Sequence, residues 1–169
     1  MFFVKVFILF CIFLGSLKAG KLIANRYSNR VSELKEMKNG LNMFMTKIKF
    51  TYEAIPESFA EIGENVGGKI GYIFTKASQK MQSLPAGEAW EEALETVETS
   101  LSKEDKDVLG KLGRMLGKTD LEGQVSEIKL VQNFLNTQIT LAEEEKQKNE
   151  KLYKTLGGVI GLAVVILLV

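Results

Sequence analysis

Apolar residues in this chain follow two patterns: nearly continuous runs at the ends, and a three- or four-residue spacing between them. From Arg26 to about Glu53, apolar side chains recur at Val31, Leu34, Leu41, Met45, Ile48, Tyr52 and Ile55, with Lys38 in one seam position. That is a heptad-like series and predicts a helix packing a narrow seam against a partner. Ile55-Pro56 ends it, because the residue before proline is pushed out of the α region. Pro56 and Glu57 suit the first turn of a second helix, with Phe59, Ile62 and Val66 inward and Gly67-Gly68 as its stop. A third helix follows on Ile70, Ile73, Phe74, Ala77 and Met81, closed by Leu84-Pro85-Ala86-Gly87. Glu88–Thr99 reads as a fourth, burying Ala89, Trp90, Ala93, Leu94 and Val97. Ser102-Lys103-Glu104-Asp105 resembles a capping box opening a fifth helix with Val108, Leu109, Leu112, Met115 and Leu116 inside. Thr119-Asp120-Leu121-Glu122 fits a second box. Beyond it Leu121, Val125, Ile128, Gln132, Leu135, Ile139 and Ala142 keep the heptad spacing of one long helix, which runs through a polar stretch into the second apolar end. Six helices and no strand signal predict an all-α bundle.

The ends read as membrane segments. Met1–Leu17 is apolar apart from Lys5, Gly15 and Ser16, and from Phe2 to Leu22 it reaches the roughly 20 residues a bilayer needs if Lys5, Lys18 and Lys21 snorkel. The alternative is a cleaved secretory signal, whose cleavage would have to fall in Gly15-Ser16-Leu17-Lys18-Ala19-Gly20, a poor small-x-small match. The reading favours an uncleaved anchor. Leu156–Val169 is fourteen residues without a charge, rising about 21 Å, a marginal span unless Lys151 and Lys154 snorkel and the bilayer thins. Gly157 and Gly161 form a small-xxx-small pair within it. The chain is thereby expected to divide into an N-terminal transmembrane anchor (residues 1–24), a helical domain (25–154) and a C-terminal transmembrane helix (155–169). Lys18, Lys21, Arg26 and Arg30 follow the first segment, Lys146, Lys148, Lys151 and Lys154 precede the second, and only Lys5 lies beyond either. The positive-inside bias therefore puts the central domain in the cytoplasm and both termini outside.

Composition narrows the chemistry. The 169 residues carry 22 basic and 21 acidic side chains, a net charge of +1, without a basic block of the kind that nucleic acid binding requires. There is no histidine, which excludes His-based proton shuttling, Ser-His-Asp triads and His metal ligands. One cysteine, Cys11, in an apolar run, leaves no intrachain disulfide and no Cys metal cluster. No P-loop or dinucleotide fingerprint occurs, and Gly63-Glu-Asn-Val-Gly67-Gly68 follows a helical rather than a strand pattern. The expectation is a protein that is not an enzyme and takes no cofactor or metal.

What remains is surface for partners. Glu88, Glu91, Glu92, Glu95 and Glu98 recur at three- and four-residue steps, and Glu88, Glu91, Glu95 and Glu98 are the candidate docking residues for a basic partner surface. A plain solvated face is the commoner origin of such a stripe. Trp90, the single tryptophan, is read as a core anchor rather than an exposed hot spot. The two heptad seams leave self-association open, since each is filled either by a second copy or within the bundle.

Several motifs carry a resemblance along the whole chain: Tyr52-Glu-Ala-Ile-Pro56-Glu-Ser-Phe-Ala60, Glu88-Ala89-Trp90, Leu116-Gly117-Lys-Thr-Asp120-Leu-Glu-Gly-Gln124, Ala142-Glu143-Glu-Glu145 and Lys151-Leu-Tyr153-Lys-Thr-Leu156-Gly157. In this order, between an apolar start and an apolar tail, they resemble the stage III sporulation protein AB family. The resemblance implies a component of the channel complex joining mother cell and forespore, sited in the mother-cell or outer forespore membrane. It implies a soluble domain similar to those of the type II secretion and type IV pilus inner-membrane platforms. Those platforms carry two such domains where this chain has one. The implied partners are the membrane, a cytoplasmic ATPase-like subunit and other membrane subunits of the complex, with no catalytic residues to carry over. A different class stays open beside it: a secreted or surface-anchored helical binding protein with a cleaved N-terminal signal.

Overall fold

Two long helices and four short ones make up the chain in the computed structural model, which describes the backbone of residues 2–51 and 53–168 and the side chains of residues 7, 9–51 and 53–166. In chain order they are α1 (Phe2–Phe50), α2 (Ile55–Val66), α3 (Gly68–Lys80), α4 (Ala86–Thr96), α5 (Lys103–Met115) and α6 (Leu121–Leu168), with no strand among the described residues. The all-α expectation is met. The chain divides into two units, one formed by Met1–Val31 with Leu141–Val169 and the other by Ser32–Thr140, so α1 and α6 each contribute to both.

The unit Ser32–Thr140 is held by an aromatic cluster. The Phe59 ring meets Phe44, Phe74 and Trp90 edge-on at centroid distances of 4.9, 5.2 and 5.4 Å, and Phe74 lies 5.1 Å from Trp90. All four side chains are fully buried, and such ring pairs add about 0.5–1.5 kcal/mol each beyond their buried area. Trp90 is the anchor that its isolation in the sequence suggests. Its indole N–H donates to the Leu109 carbonyl at 2.8 Å, which ties α4 to α5 and satisfies the buried indole donor.

The seam of α1 is broader than expected. Val31, Leu34, Leu41 and Ile48 are buried as read, but Met37 and Phe44 are buried too, while Met45 is half-buried. The α6 seam changes likewise: Val125, Ile128, Leu135 and Ala142 are inside and Val131 joins them, whereas Gln132 and Ile139 are half-buried and Leu121 is 37% exposed. A helix inside a bundle packs a wide stripe at a 3.6-residue period, not the two-position seam of a coiled coil. Tyr52, the last aromatic of the expected α1 seam, lies outside the described residues.

Local chemistry sets the ends of the short helices. α1 ends at Phe50, short of the expected Ile55-Pro56 stop. Ala54 is the extended residue (ψ 152°), Ile55 opens α2 and Pro56 sits in its first turn, where a missing N–H costs no helical bond. Gly67 and Gly68 separate α2 from α3 at φ 66° and 58°, a conformation costly for any residue with a Cβ. This is a helix-to-helix turn, unlike the strand-to-helix turn of a phosphate loop. α4 stops at Thr96, short of the expected Thr99, because Val97 becomes extended and turns its side chain into the core. Ser102 and Asp105 form the reciprocal capping box at the start of α5, with bonds of 2.8 and 3.1 Å. At α6 the cap falls one residue later than read: the Gly123 N–H donates to the Asp120 carboxylate at 2.9 Å, and the Gln124 side chain donates to the Thr119 carbonyl.

In the other unit the start of α1 and the end of α6 run antiparallel. Arg30 donates to Glu145 at 3.0 Å, the Tyr27 and Tyr153 rings stack 5.9 Å apart, and the Ser16 hydroxyl donates to the Gly157 carbonyl at 2.6 Å. Glycines allow the close crossing: a Cβ on Gly157 would lie 3.0 Å from the Ser16 carbonyl oxygen and 3.2 Å from the Gly20 Cα. Gly161 faces Phe13 and Ser16 one turn on. Large apolar side chains point away from this contact, among them Phe7, Phe10, Leu22, Val159, Leu162 and Ile166.

The expected transmembrane helices are not supported by the structure. Among the described residues no helix carries a stretch long and apolar enough to cross a membrane. Lys18 and Lys21 interrupt the apolar run of α1, and the apolar part of α6 begins only after Lys154. Met1 and Val169 of the expected segments, and the side chains of residues 2–6, 8, 167 and 168, lie outside the described residues.

Candidate docking surfaces

Among the described residues no group of acidic and cysteine side chains is placed to hold a metal ion. Three grooves lie on the unit Ser32–Thr140, between helices. The acidic face of α4 is built by a short amphipathic helix whose other face is pinned by Ala89, Trp90, Ala93 and Leu94. Its carboxylates divide into two sets. Glu92 receives Lys80 of α3 at 2.6 Å, and Glu91 lies 3.9 Å from Arg114 of α5. Glu88 and Glu95 are exposed on the helix without an ion pair, and Glu98 lies beyond its end, off the helical face on which the sequence reading placed it. The cleft beside Glu91 and Glu95, about 200 Å³, also contains Lys106, Asp107 and Arg114. Its mixed charge makes the face less acidic than the linear spacing implies.

The turn between α1 and α2 holds a charged knot. Lys47 donates to Glu53 at 2.8 Å and to Glu61, and these two bonds hold its ammonium group above the ordinary lysine value.

Two grooves were not read from the sequence. One, about 470 Å³, is lined by Lys49, Phe50, Leu121, Val125 and Lys129, with Phe50 76% exposed. The other, about 660 Å³, runs between α1 and α6 and is lined by Lys35, Lys38, Asn39, Asn42, Gln132, Asn136, Ile139 and Thr140. A signal for the second was present: Lys38 and Gln132 are the two polar occupants of otherwise apolar heptad positions, one on each long helix, and both line this groove.

Comparison with known proteins agrees over nearly the whole chain. The sequence model of the family described as stage III sporulation protein AB matches residues 5–169. Stage III sporulation protein AB of Bacillus subtilis (strain 168) is 28% identical over 150 residues, covering 86% of this chain and 88% of that protein. A solved structure of stage III sporulation protein AB shares the fold at a TM-score of 0.67 and 23% identity, over 71% of this chain and 98% of that one. The chain belongs to the stage III sporulation protein AB family.

Proposed function

We propose that the protein is a non-enzymatic scaffold of the sporulation channel between mother cell and forespore, held in the membrane by the paired ends of α1 and α6. The carrying observation is the inverted packing of that pair. In water, two amphipathic helices bury their large apolar side chains and expose small or polar ones. Here Gly20, Gly157, Gly161 and Ser16 face inward while Phe7, Phe10, Leu162 and Ile166 face out. Helices packed through small residues and an interhelical hydroxyl bond, with bulky apolar groups outside, suit lipid as the solvent. Neither helix end spans a bilayer by itself on its described residues, so the pair embeds as a hairpin, with Lys18, Lys21, Lys151 and Lys154 reaching the headgroups. The excess of Lys and Arg on the inner flanks supports a cytoplasmic helical domain, with the embedded pair entering the membrane from that side. Loss of the first segment to a signal peptidase would remove Ser16 and Phe13 from their contacts with Gly157 and Gly161, which favours the uncleaved form.

The helical domain would then offer its surface to an ATPase-like subunit and to other membrane subunits, with Glu88 and Glu95 as the part of the acidic face left open to a basic partner and Glu98 exposed beyond its end. The test is deletion of the gene in a spore-forming host, with forespores followed by microscopy after engulfment. The proposal expects small or collapsing forespores, restored by the intact gene. Normal forespores and normal spore yield would overturn it.

A further inference from the structure

The neighbouring helices α3 and α4 carry opposite charges. α3 has Lys69, Lys76 and Lys80 and no acidic residue, whereas α4 has Glu88, Glu91, Glu92 and Glu95 and no basic one. The two charged faces adjoin: α3 packs against α4, and at their rim the part-exposed Lys80 and Glu92 meet at 2.6 Å. Lys69 and Lys76 form no ion pair among the described residues, and neither do Glu88 and Glu95. Between the two lysines Tyr72 is 54% exposed, with the Lys76 ammonium group 6.0 Å from its ring centroid. We propose that this surface is a site of self-association, on which α3 of one copy docks against α4 of a second copy of the chain.

Spacing selects that occupant. Lys69 and Lys76 are seven residues apart, as are Glu88 and Glu95, so each pair spans about 10.5 Å along its helix. Two such helices laid side by side close both ion pairs together. Tyr72, three residues after Lys69 and four before Lys76, then faces the Glu91–Glu92 part of α4, where its hydroxyl can donate to a carboxylate. Of the α5 cations beside α4, Arg114 is taken by Glu91 and Lys106 stands next to Asp107, which leaves Glu88 and Glu95 to attract a cation from outside. A partner of another kind would have to bring a basic and an acidic face together; a second copy has them already adjoining, and one two-fold pairing engages both faces of both copies. Surface ion pairs contribute little singly, so here they set register and partner while Tyr72 supplies the apolar area to be buried. The inference rests on the reading that Glu88 and Glu95 are open to a basic partner, and it names that partner. It concerns only the unit Ser32–Thr140.

The experiment is sedimentation velocity of the full chain in density-matched detergent micelles. A reversible dimer that dissociates as salt is raised is expected. Lys69→Glu with Lys76→Glu makes both faces acidic, and Glu88→Lys with Glu95→Lys makes both basic. Each variant alone should dimerise at least about tenfold more weakly than the wild type. Their equimolar mixture should recover the wild-type affinity, because every acidic face then meets a basic one, and that recovery itself requires both variants to be folded. Tyr72→Ala should weaken the dimer about tenfold. A wild-type chain that stays monomeric would overturn the proposal. So would a dimer that the charge reversals leave unchanged, or a mixture that associates no more tightly than its components. Glu88→Lys with Glu95→Lys in a spore-forming host separates this inference from the reading on which it rests. Defective forespores together with a monomeric wild-type chain would reject self-association and leave the acidic face to a different basic protein. Normal forespores together with a monomeric chain would reject both.

Discussion

At the scale of single residues, burial separates positions that the heptad pattern treats alike. Leu135 is fully buried, whereas Leu121 is 37% exposed, although both occupy the same expected seam. Leu135→Asp should abolish cooperative urea unfolding, since an unpaired buried carboxylate is costly, while Leu121→Asp should shift the midpoint only slightly. Equal melting of the two variants would refute the assignment. Val31, Leu34, Leu41 and Ile48 were legible because three- and four-residue spacing suffices to place them. Met37 and Phe44 were not, because a two-position template puts them on the flank, whereas Phe44 is drawn inside by the edge of Phe59 on the neighbouring helix. Trp90 was legible as an anchor, but its bond to the Leu109 carbonyl depends on the α4–α5 crossing, which no local pattern encodes. Lys47 gives a prediction in pH. Glu53 and Glu61 raise its folded value above the 10.5 of a free lysine, so its contribution to stability is fully present below about pH 10.5 and is lost as pH rises through the raised value. Lys47→Met should therefore flatten the alkaline limb of a stability–pH curve measured by urea unfolding.

At the scale of elements, the short helices were read almost to their ends, because proline, glycine and serine act locally. Gly67-Gly68 and the Ser102–Asp105 box do in the fold what they promise in the sequence, whereas Ile55-Pro56 opens α2 and does not end α1, which stops at Phe50. Ser102→Ala should cost about 1 kcal/mol in urea unfolding, and Ser102→Asp, which keeps a capping oxygen, should recover most of it. The end of α4 was misjudged because a tertiary demand decides it: Val97 leaves the helix to enter the core, and this takes Glu98 off the acidic face. The acidic stripe was therefore only partly legible, since its ion pairs come from α3 and α5, far along the chain. In the pair of helix ends, the Gly157/Gly161 spacing was visible in the sequence, but its partners Ser16 and Gly20 on α1 were not. Gly20→Leu should force the helices apart, since even a Cβ there would lie 2.6 Å from the Tyr153 carbonyl oxygen. The expected readout is loss of protection at Ser16–Ala24 in hydrogen exchange, with the aromatic cluster unaffected.

At the scale of the whole molecule, α1 and α6 run from a grooved helical domain into a pair of helix ends packed through glycine and serine, the arrangement on which the proposed membrane role rests. The six-helix, all-α architecture follows from periodicity; the membrane role does not, because neither end is long and apolar enough to span a bilayer on its described residues. What supports it is the arrangement of the two ends against each other, a property of no single segment. Cys11, the only cysteine and exposed on the outer face of α1, allows the claim to be measured directly. The full chain, spin-labelled at Cys11 and reconstituted in vesicles, can be read by its relaxation with oxygen, which concentrates in hydrocarbon, and with a nickel chelate, which stays in water. A Cys11→Ser, Asn133→Cys variant supplies the water-exposed reference. The account predicts a label at Cys11 that oxygen relaxes and the nickel chelate does not, with the reverse at position 133. A label at Cys11 as open to the nickel chelate as the reference would contradict it.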